Sequence, residues 1–142
     1  MVFQIYCDGG SRGNPGPAAA AFVIFWQGRV LARHGKFLGV TTNNQAEYQA
    51  VILALSFLQK LQDKKNLHAK RVEFFLDSEL VVKQMGGIFK IRDGKLQALS
   101  LVAKQLEKTL DLPIFYKAIP RSKNKLADRL VNQVLDWKGN KF

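Results

Sequence analysis

The chain has 142 residues, with 22 Lys or Arg against 11 Asp or Glu, so its formal net charge is +11 and its pI is near 10. This length suits one ordinary hydrophobic core, a hydrophobic fraction of 47% excludes a disordered tail, and one cysteine excludes an internal disulfide. No apolar run reaches the ~18 residues of a membrane span, so we expect no membrane insertion. From the length and the single cysteine we expect a single domain over residues 1–142 that is cytoplasmic. We also expect a monomer.

The excess of positive charge favours a polyanionic partner, of which nucleic acid is the commonest. A lysine-rich surface that only keeps the protein soluble is the alternative, and charge alone does not exclude it.

The opening residues alternate in polarity, which predicts a first β-strand over residues 2–7. The strand leads directly into Asp8, and Asp8 is followed by a turn rich in glycine and proline that ends at Pro17. We therefore expect Asp8 at the open end of a strand, with a flexible turn behind it that lets another backbone approach closely. Cys7 is expected to be a small core residue.

Two further strands are predicted at residues 18–26 and 30–38, joined by a hairpin turn, so that the first three strands form an antiparallel meander. A long helix is expected to run to about Leu61, after four candidate N-cap residues: Thr41, Thr42, Asn43 and Asn44. In its first turn Glu47 lies on a row that is otherwise apolar (Val51, Ala54, Leu58), so we expect it to face the sheet. A carboxylate that only stabilises the helix dipole is the alternative.

The second half of the chain repeats the pattern of a strand followed by an acid. Residues 62–70 are predicted to form a polar loop, residues 71–76 a fourth strand that ends at Asp77 and Ser78, and residues 79–85 a short helix. Residues 88–94 are irregular and basic. A helix over residues 95–109 is expected to turn five residues inward: Leu96, Leu99, Val102, Ala103 and Leu106.

Residues 112–118 predict the fifth strand, and a basic loop at residues 120–125 precedes a last helix that begins near Leu126. Its first turn carries Asp128 in line with Val131 and Leu135, which again places an acid on an inward row. Residues 137–142 are expected to fray, with a small contact as the alternative.

Four acids therefore hold comparable positions: Asp8, Glu47, Asp77 and Asp128. Clustered carboxylates repel one another and are costly to desolvate unless a cation joins them. A cluster without Cys or His ligands suits Mg²⁺ or Mn²⁺ better than zinc. Two such ions can stabilise both the attacking and the leaving oxygen of a phosphoryl transfer.

The chain resembles the type 1 ribonuclease H family in four blocks that span it from end to end. They are Tyr-Cys-Asp-Gly-Gly-Ser with Gly-Asn-Pro-Gly (residues 6–16), Thr-Asn-Asn-Gln-Ala-Glu (42–47), Leu-Asp-Ser-Glu-Leu-Val (76–81), and Arg121 with Asn124, Ala127 and Asp128. Each block is weak alone, whereas all four in this order, on the expected elements, are specific.

The resemblance implies an α/β fold of the ribonuclease H type, in which helices flank a five-stranded mixed sheet made of the antiparallel meander and two parallel strands. It implies an endonuclease that cuts the RNA strand of RNA/DNA hybrids and leaves 5′-phosphate and 3′-hydroxyl ends, with double-stranded RNA as an open second substrate. In the family two Mg²⁺ ions, which Mn²⁺ can replace, bind four catalytic acids, and these match Asp8, Glu47, Asp77 and Asp128, with Asp8 between both ions.

The resemblance also implies substrate contacts. Asn14, Asn43 and Gln45 match positions near the minor groove of the hybrid, where 2′-hydroxyls distinguish RNA from DNA, and Thr42 matches a contact to a phosphate of the DNA strand. The full set of expected substrate-binding residues is Gly9, Gly10, Ser11, Asn14, Thr42, Asn43, Asn44, Gln45, Ser78, Arg121 and Asn124.

The sequence departs from the family pattern in two places. The loop before the last helix lacks the histidine that many members have there, and His34 and His68 are expected at the surface. Arg121 or Lys123 can act there electrostatically, but an arginine cannot relay a proton, so we expect cleavage to survive with a changed rate or metal preference. Residues 86–94 also replace a long basic insertion, and no N-terminal hybrid-binding domain is expected.

The sequence leaves one main alternative function open and disfavours two others. A catalytically weak module that binds RNA/DNA hybrids or double-stranded RNA is the main alternative, although it would not need all four acids. A 3′-to-5′ exonuclease of related fold would carry Asp-x-Glu on its first strand, where this chain has Asp8 followed by two glycines. A nucleotide-binding P-loop would need Lys-Ser/Thr after its glycines, and residues 13–16 lack it.

Overall fold

The computed structural model describes residues 1–65 and 69–139. The elements follow one another as β1 (Val2–Ser11), β2 (Gly16–Trp26), β3 (Arg29–Thr41), α1 (Asn43–Lys65), β4 (Arg71–Leu76), α2 (Glu79–Met85), α3 (Gly94–Leu110), β5 (Ile114–Ala118) and α4 (Lys125–Gly139), with a 3₁₀ turn at Arg121–Lys123 before the last helix. Within the described ranges, no helix has the length and hydrophobicity needed to cross a membrane.

The five strands form one mixed sheet in the order β3-β2-β1-β4-β5. The pairs β1–β2 and β2–β3 are antiparallel, whereas β1–β4 and β4–β5 are parallel. This confirms the expected fold class, including the meander and the two parallel strands. Because β4 and β1 are parallel neighbours, the residues that follow β4 reach the same edge of the sheet as the end of β1.

The main core lies on the face of the sheet that α1 and α3 cover. Alternate residues of β1 point into it, so Phe3, Ile5 and Cys7 are all fully buried. The other face has a smaller core under α4, where Ala19 and Ala21 of β2 pack against that helix. Helices on both sides explain why β2 is apolar along its length rather than alternating.

The first strand is longer than predicted, and this changes the position of Asp8. Antiparallel pairing with β2 continues past Asp8, which lies opposite Ala21, as far as Ser11. Parallel pairing with β4 ends at Tyr6. Asp8 is therefore inside β1 and not at its end, but it is beyond the last residue that β4 pairs, so the expectation of a strand terminus was wrong on one side of the strand only.

Other parts of the structure also differ from the predictions. Residues 62–65, expected in a loop, continue α1, since these polar residues include no helix breaker, and residues 66–68 of that predicted loop lie outside the described residues. Residues 137–139, expected to fray, belong to α4, where Lys138 lies over the ring of Phe37 with Nζ 5.1 Å from its centroid; residues 140–142 are not described. The predicted core residue Val102 is 44% exposed, because α3 turns Ser100 and Ala103 inward instead.

Candidate active site

Three carboxylates from separate elements meet at the edge of the sheet. One oxygen from each of Asp8 on β1, Glu47 on α1 and Asp77 after β4 lies within 4.8 Å of the other two. Asp8 and Glu47 are only 6% and 4% exposed, and Asp77 is half-buried. The structure thus brings together three of the four acids that the sequence singled out.

Glu47 reaches the cluster because Gly9 allows helix α1 to approach β1 very closely. A Cβ atom at position 9 would lie 2.2 Å from the carbonyl carbon of Ala46, which real Cβ atoms do not tolerate. At this distance the backbone N–H of Gly9 donates a hydrogen bond of 2.8 Å to Oε1 of Glu47. The close approach expected behind Asp8 therefore belongs, at Gly9, to a helix of the same chain.

Asp77 is positioned by the start of the next helix. Ser78 is the N-cap of α2, and its hydroxyl oxygen accepts a hydrogen bond of 3.2 Å from the backbone N–H of Val81. This cap fixes the turn between β4 and α2, so that Asp77 projects toward Asp8 on the neighbouring strand β1.

Asp128 lies on the first turn of α4 and is partly exposed. It is outside the group of three oxygens but lines the same cleft. Asn124 attaches the start of α4 to the sheet, because its Nδ2 donates a hydrogen bond of 2.8 Å to the carbonyl oxygen of Cys7. One turn after Asp128, Nδ2 of Asn132 donates to the Asp128 carbonyl oxygen at 3.0 Å and to Oδ1 at 3.3 Å.

The electrostatics of the cluster disfavour its ionised form. Burial raises the pKa of Asp8 from 3.8 to about 7, and the charges of Asp77 and Asp128 add to the rise. Burial likewise raises the pKa of Glu47 well above its usual range, with the charge of Asp8 as the next cause. The pKa of Asp77 is raised by burial as well. These are the shifts expected where carboxylates share a site without a cation.

Two buried oxygens in the cluster have no hydrogen-bond partner among the described residues: Oε2 of Glu47 and Oδ2 of Asp77. Such orphaned buried acceptors are rare and call for a missing cation or water. The three atoms available as metal ligands are all carboxylate oxygens, which Mg²⁺ and Mn²⁺ prefer. The residues present therefore fit a hard divalent ion.

The acids open into a cleft of about 400 Å³. Seven of the expected substrate-binding residues line it: Gly9, Gly10, Ser11, Asn43, Asn44, Ser78 and Arg121. Asn43 stands at its rim, where Oδ1 accepts hydrogen bonds from the backbone N–H of Ser11 at 2.9 Å and from the Ser11 hydroxyl at 3.1 Å. The Asn43 backbone N–H donates in turn to Oδ1 of Asn14 at 3.0 Å. Asn14 thus supports the rim from outside the cleft.

The other expected substrate contacts are not part of the cleft lining. Oγ1 of Thr42 accepts a hydrogen bond of 3.2 Å from the backbone N–H of Gln45 and so caps α1, and the Gln45 side chain is bonded to the hydroxyl of Thr41. Asn124 is 1% exposed, and its Nδ2 donates a hydrogen bond to the carbonyl oxygen of Cys7. Its side-chain amide also opposes the rise in the pKa of Asp77, so it is a buried neighbour of the acids.

Two polar residues of the cleft were missed in the sequence. Arg12 lines it and is held by Asp136, with Nη2 2.5 Å from Oδ1, and by Oδ1 of Asn132 at 3.5 Å. Asn132 also lines it, beside Asp128. The spacing of four residues between Asp128 and Asn132 on one helix was the available signal for the second residue. Arg12 is four residues after Asp8, and no sequence pattern distinguishes it from the other arginines.

The basic loop before α4, which has no histidine, places an arginine beside the acids. Nε of Arg121 lies 4.0 Å from Oδ2 of Asp77, although the side chain is 82% exposed. Its positive charge opposes the rise in the pKa of Asp77. His34 is an exposed residue of β3, as expected, and His68 lies outside the described residues.

Comparison with known proteins gives one consistent picture. The RNase H family model matches residues 2–136. A Mycobacterium tuberculosis protein named as bifunctional is 39% identical over 138 residues, which are 96% of this chain and 36% of that protein, so the chain spans about a third of its length. A solved N-terminal RNase H domain from M. tuberculosis superimposes with a TM-score of 0.88 at 36% identity, covering 99% of this chain and 98% of that one.

Two other relatives agree. The ribonuclease HI of Halobacterium salinarum is 38% identical over 132 residues, which cover 92% of this chain and 63% of that protein. The structure of LC11-RNase H1 in complex with an RNA/DNA hybrid superimposes with a TM-score of 0.84 at 39% identity, covering 92% of this chain and 94% of that one.

Proposed function

The chain belongs to the ribonuclease H family, and from this membership we propose that it is an endoribonuclease that hydrolyses the RNA strand of RNA/DNA hybrids, leaving 5′-phosphate and 3′-hydroxyl ends. The observation that carries the proposal is the convergence of Asp8, Glu47 and Asp77, two of which keep a buried oxygen without a hydrogen-bond partner among the described residues. A module that only binds nucleic acid gains nothing from three buried acids that repel one another.

In this proposal Asp8, Glu47, Asp77 and Asp128 would together hold two Mg²⁺ ions, and Mn²⁺ could take the place of either. When bound, the ions supply an activated water and neutralise the negative charge on the scissile phosphate and the leaving 3′ oxygen. The chain's own part is to hold the ligands still. The Gly9 N–H fixes one oxygen of Glu47, the Ser78 cap fixes the turn after β4, and Asn132 holds the Asp128 carboxylate.

The substrate would lie along the cleft between the start of α1 and the start of α4. Asn43 is exposed, its side-chain amide is oriented by the bonds that Oδ1 accepts from Ser11, and its backbone N–H is bonded to Asn14. An amide held in this way suits a contact in the minor groove of the hybrid, where 2′-hydroxyls are accessible. Arg12 and Arg121 place positive charge at the cleft, where phosphates can be bound without regard to sequence. The hybrid carried by LC11-RNase H1 in its complex supports this assignment.

The test is cleavage of a labelled RNA/DNA hybrid by the wild-type protein, with Mg²⁺ or with EDTA, beside Asp8→Asn and Asp77→Asn. We expect cutting only with the metal, and a loss of at least about a thousandfold in both variants, because a carboxamide cannot replace an anionic metal ligand. Asp111→Asn is the matched control, since Asp111 is an exposed residue at the end of α3 with a φ of 53° that asparagine also adopts readily.

Cutting in EDTA, or normal cutting by both site variants, would contradict the two-metal proposal. Hybrid binding without any cutting by the wild type would favour the catalytically weak module instead. Duplex RNA of the same sequence, run in parallel, tests whether double-stranded RNA is a second substrate. Analysis of the product ends, by sensitivity of the 5′ end to phosphatase, tests the direction of bond cleavage.

A further inference from the structure

The face of the sheet that carries α4 is only partly covered by that helix. α4 packs on β2, β1 and β3, and its first residues lie beside β1, where a second cleft of about 370 Å³ lies between Tyr6 and Phe25 on the sheet and Lys123 and Lys125 at the helix start. On the far side of Tyr6 the same face continues over β4 and β5. There Phe75 is half-buried and Phe115 is 56% exposed.

Four aromatic side chains lie in a band across this surface, one from each of four adjacent strands. Tyr6 stands against Phe25 with ring centroids 5.6 Å apart at 78°, and it stacks on Phe75 at 4.9 Å and 22°. Phe115 pairs in register with Glu73, two residues before Phe75, and so projects from the same side of the sheet. We call this band of Phe25, Tyr6, Phe75 and Phe115 the aromatic face.

The border of the aromatic face is basic. Lys117 pairs in register with Phe75 and is exposed, and Lys123 and Lys125 are exposed beside the cleft next to Tyr6. Glu73 is the acid on this side, and Nε of Arg71 lies 2.9 Å from its Oε2. The surface therefore combines half-exposed rings with Lys117, Lys123 and Lys125, which form no ion pair with any acid in the described part of the chain.

We propose that the aromatic face binds single-stranded nucleic acid. Unpaired bases can stack on the rings while lysines contact the phosphates, which is the combination used by proteins that bind single strands without sequence preference. A duplex keeps its bases stacked on one another and offers the rings nothing. The charge favours nucleic acid over a protein partner, because the lysines at the border match phosphate anions and the whole chain carries a formal net charge of +11.

The aromatic face is continuous with the candidate active site through the basic loop. Arg121 lines the acidic cleft, while Ser122 and Lys123, the next two residues, line the cleft beside Tyr6. A single-stranded extension of a hybrid bound at the acids can thus cross this loop and reach the rings. This use of the surface rests on the proposed function, whereas the affinity for free single strands does not.

The test measures binding of dye-labelled 12-nucleotide dT and rU strands by fluorescence anisotropy in EDTA, which also prevents cleavage. Phe115→Ala and Lys117→Glu alter exposed positions of the aromatic face, so both variants should fold. We expect each to weaken binding about fivefold or more, because Phe115→Ala removes one stacking platform and Lys117→Glu places a negative charge where a phosphate would bind. The matched controls are Leu101→Ala and Lys108→Glu on α3, which are also exposed, and we expect less than a twofold change in them.

The second measurement compares a blunt hybrid with the same hybrid carrying a single-stranded extension at either end. One extension should bind at least fivefold tighter than the blunt form, and Phe115→Ala should remove this gain without changing cleavage of the blunt hybrid. Separate DNA and RNA extensions show which strand the surface prefers.

Absence of single-strand binding, equal weakening by the face and control variants, or full affinity in both face variants would each overturn the inference. Loss of a concentration-dependent dimer in Phe115→Ala, with no effect on single-strand binding, would identify the surface as a contact between copies and would also overturn it. Normal cutting of blunt hybrid beside any of these results would leave the proposed function intact. Single-strand binding without hybrid cutting would leave only the proposed function in error.

Discussion

Replacing the central acid should make the metal-free protein more stable while removing its activity. Asp8 is almost completely buried next to Glu47 and Asp77, and burial raises its pKa from 3.8 to about 7. In Asp8→Asn the side chain has nearly the same shape and no charge, so the folded protein no longer has to carry a desolvated anion beside two others. The variant separates what the residue does for catalysis from what it does to folding.

The size of the gain follows from the shift in pKa. One pKa unit corresponds to about 1.4 kcal/mol, so the rise to about 7 sets an upper bound of about 4 kcal/mol on the penalty of ionised Asp8. Because the folded-state pKa is above the unfolded one, the penalty is absent below pH 4, grows between pH 4 and pH 7, and is complete above pH 7. We expect Asp8→Asn to gain between about 1 and 4 kcal/mol at pH 8 and almost nothing at pH 4.

Thermal unfolding in EDTA at pH 8 and pH 4 measures this difference. A gain of this size raises the melting temperature by roughly 3 °C per kcal/mol for a chain of this length. Titration with Mg²⁺ should then stabilise the wild type more than the variant, since binding to the native state adds stability only where the ligands are intact. Asp111→Asn, the exposed control, should show neither effect. A variant that is less stable than the wild type at pH 8, or equally stabilised at both pH values, would refute the reasoning.

Three other outcomes are expected. Gly9→Ala should lose several kcal/mol of unfolding free energy and most of its cleavage activity, because its Cβ would lie 2.2 Å from the carbonyl carbon of Ala46. Gly10→Ala is the matched control for stability, since the nearest contact of its Cβ would be at 3.8 Å. A normal melting temperature in Gly9→Ala would contradict the account. Asn124→Ala should lower the free energy of unfolding, measured by chemical denaturation, by about 1–3 kcal/mol, because it leaves the carbonyl oxygen of Cys7 buried without its hydrogen bond. Stability equal to that of the wild type would mean that other contacts attach α4 to the sheet. Affinity for hybrid, measured in EDTA, should fall steeply between 50 and 200 mM salt, and a flat response would mean that the +11 charge does not contact phosphate.

The parts of the fold that follow from periodicity were predictable from the sequence. Alternation in β1 and the apolar row of Glu47, Val51, Ala54 and Leu58 on α1 both lead to buried residues, as expected. The limits of the elements were harder, because pairing and packing set them rather than local sequence. Thus β1 runs past Asp8 because β2 is available to pair with Gly9 and Gly10, although two glycines by themselves indicate a turn.

The placement of the acids could be anticipated only in part. Asp8, Glu47, Asp77 and Asp128 were expected to converge, and one oxygen from each of the first three lies within 4.8 Å of the others. Asp128 lies on the cleft wall instead, and the sequence does not indicate where along the sheet α4 begins. Arg12 was beyond reach for a similar reason, because its partner Asp136 is 124 residues away in the chain.

The block that contains Asp8 illustrates why a motif can be specific when its individual residues are not. In Asp8-Gly9-Gly10, the acid provides a ligand, and Gly9 provides both the space for α1 and the N–H that holds Glu47. The block at residues 42–47 provides the matching half, since Thr42 caps the helix that brings Glu47 to that N–H. The two blocks therefore encode a single contact between β1 and α1. Any change to Gly9 should move Glu47 away from Asp8, so the metal-binding geometry and the packing of the first helix must change together.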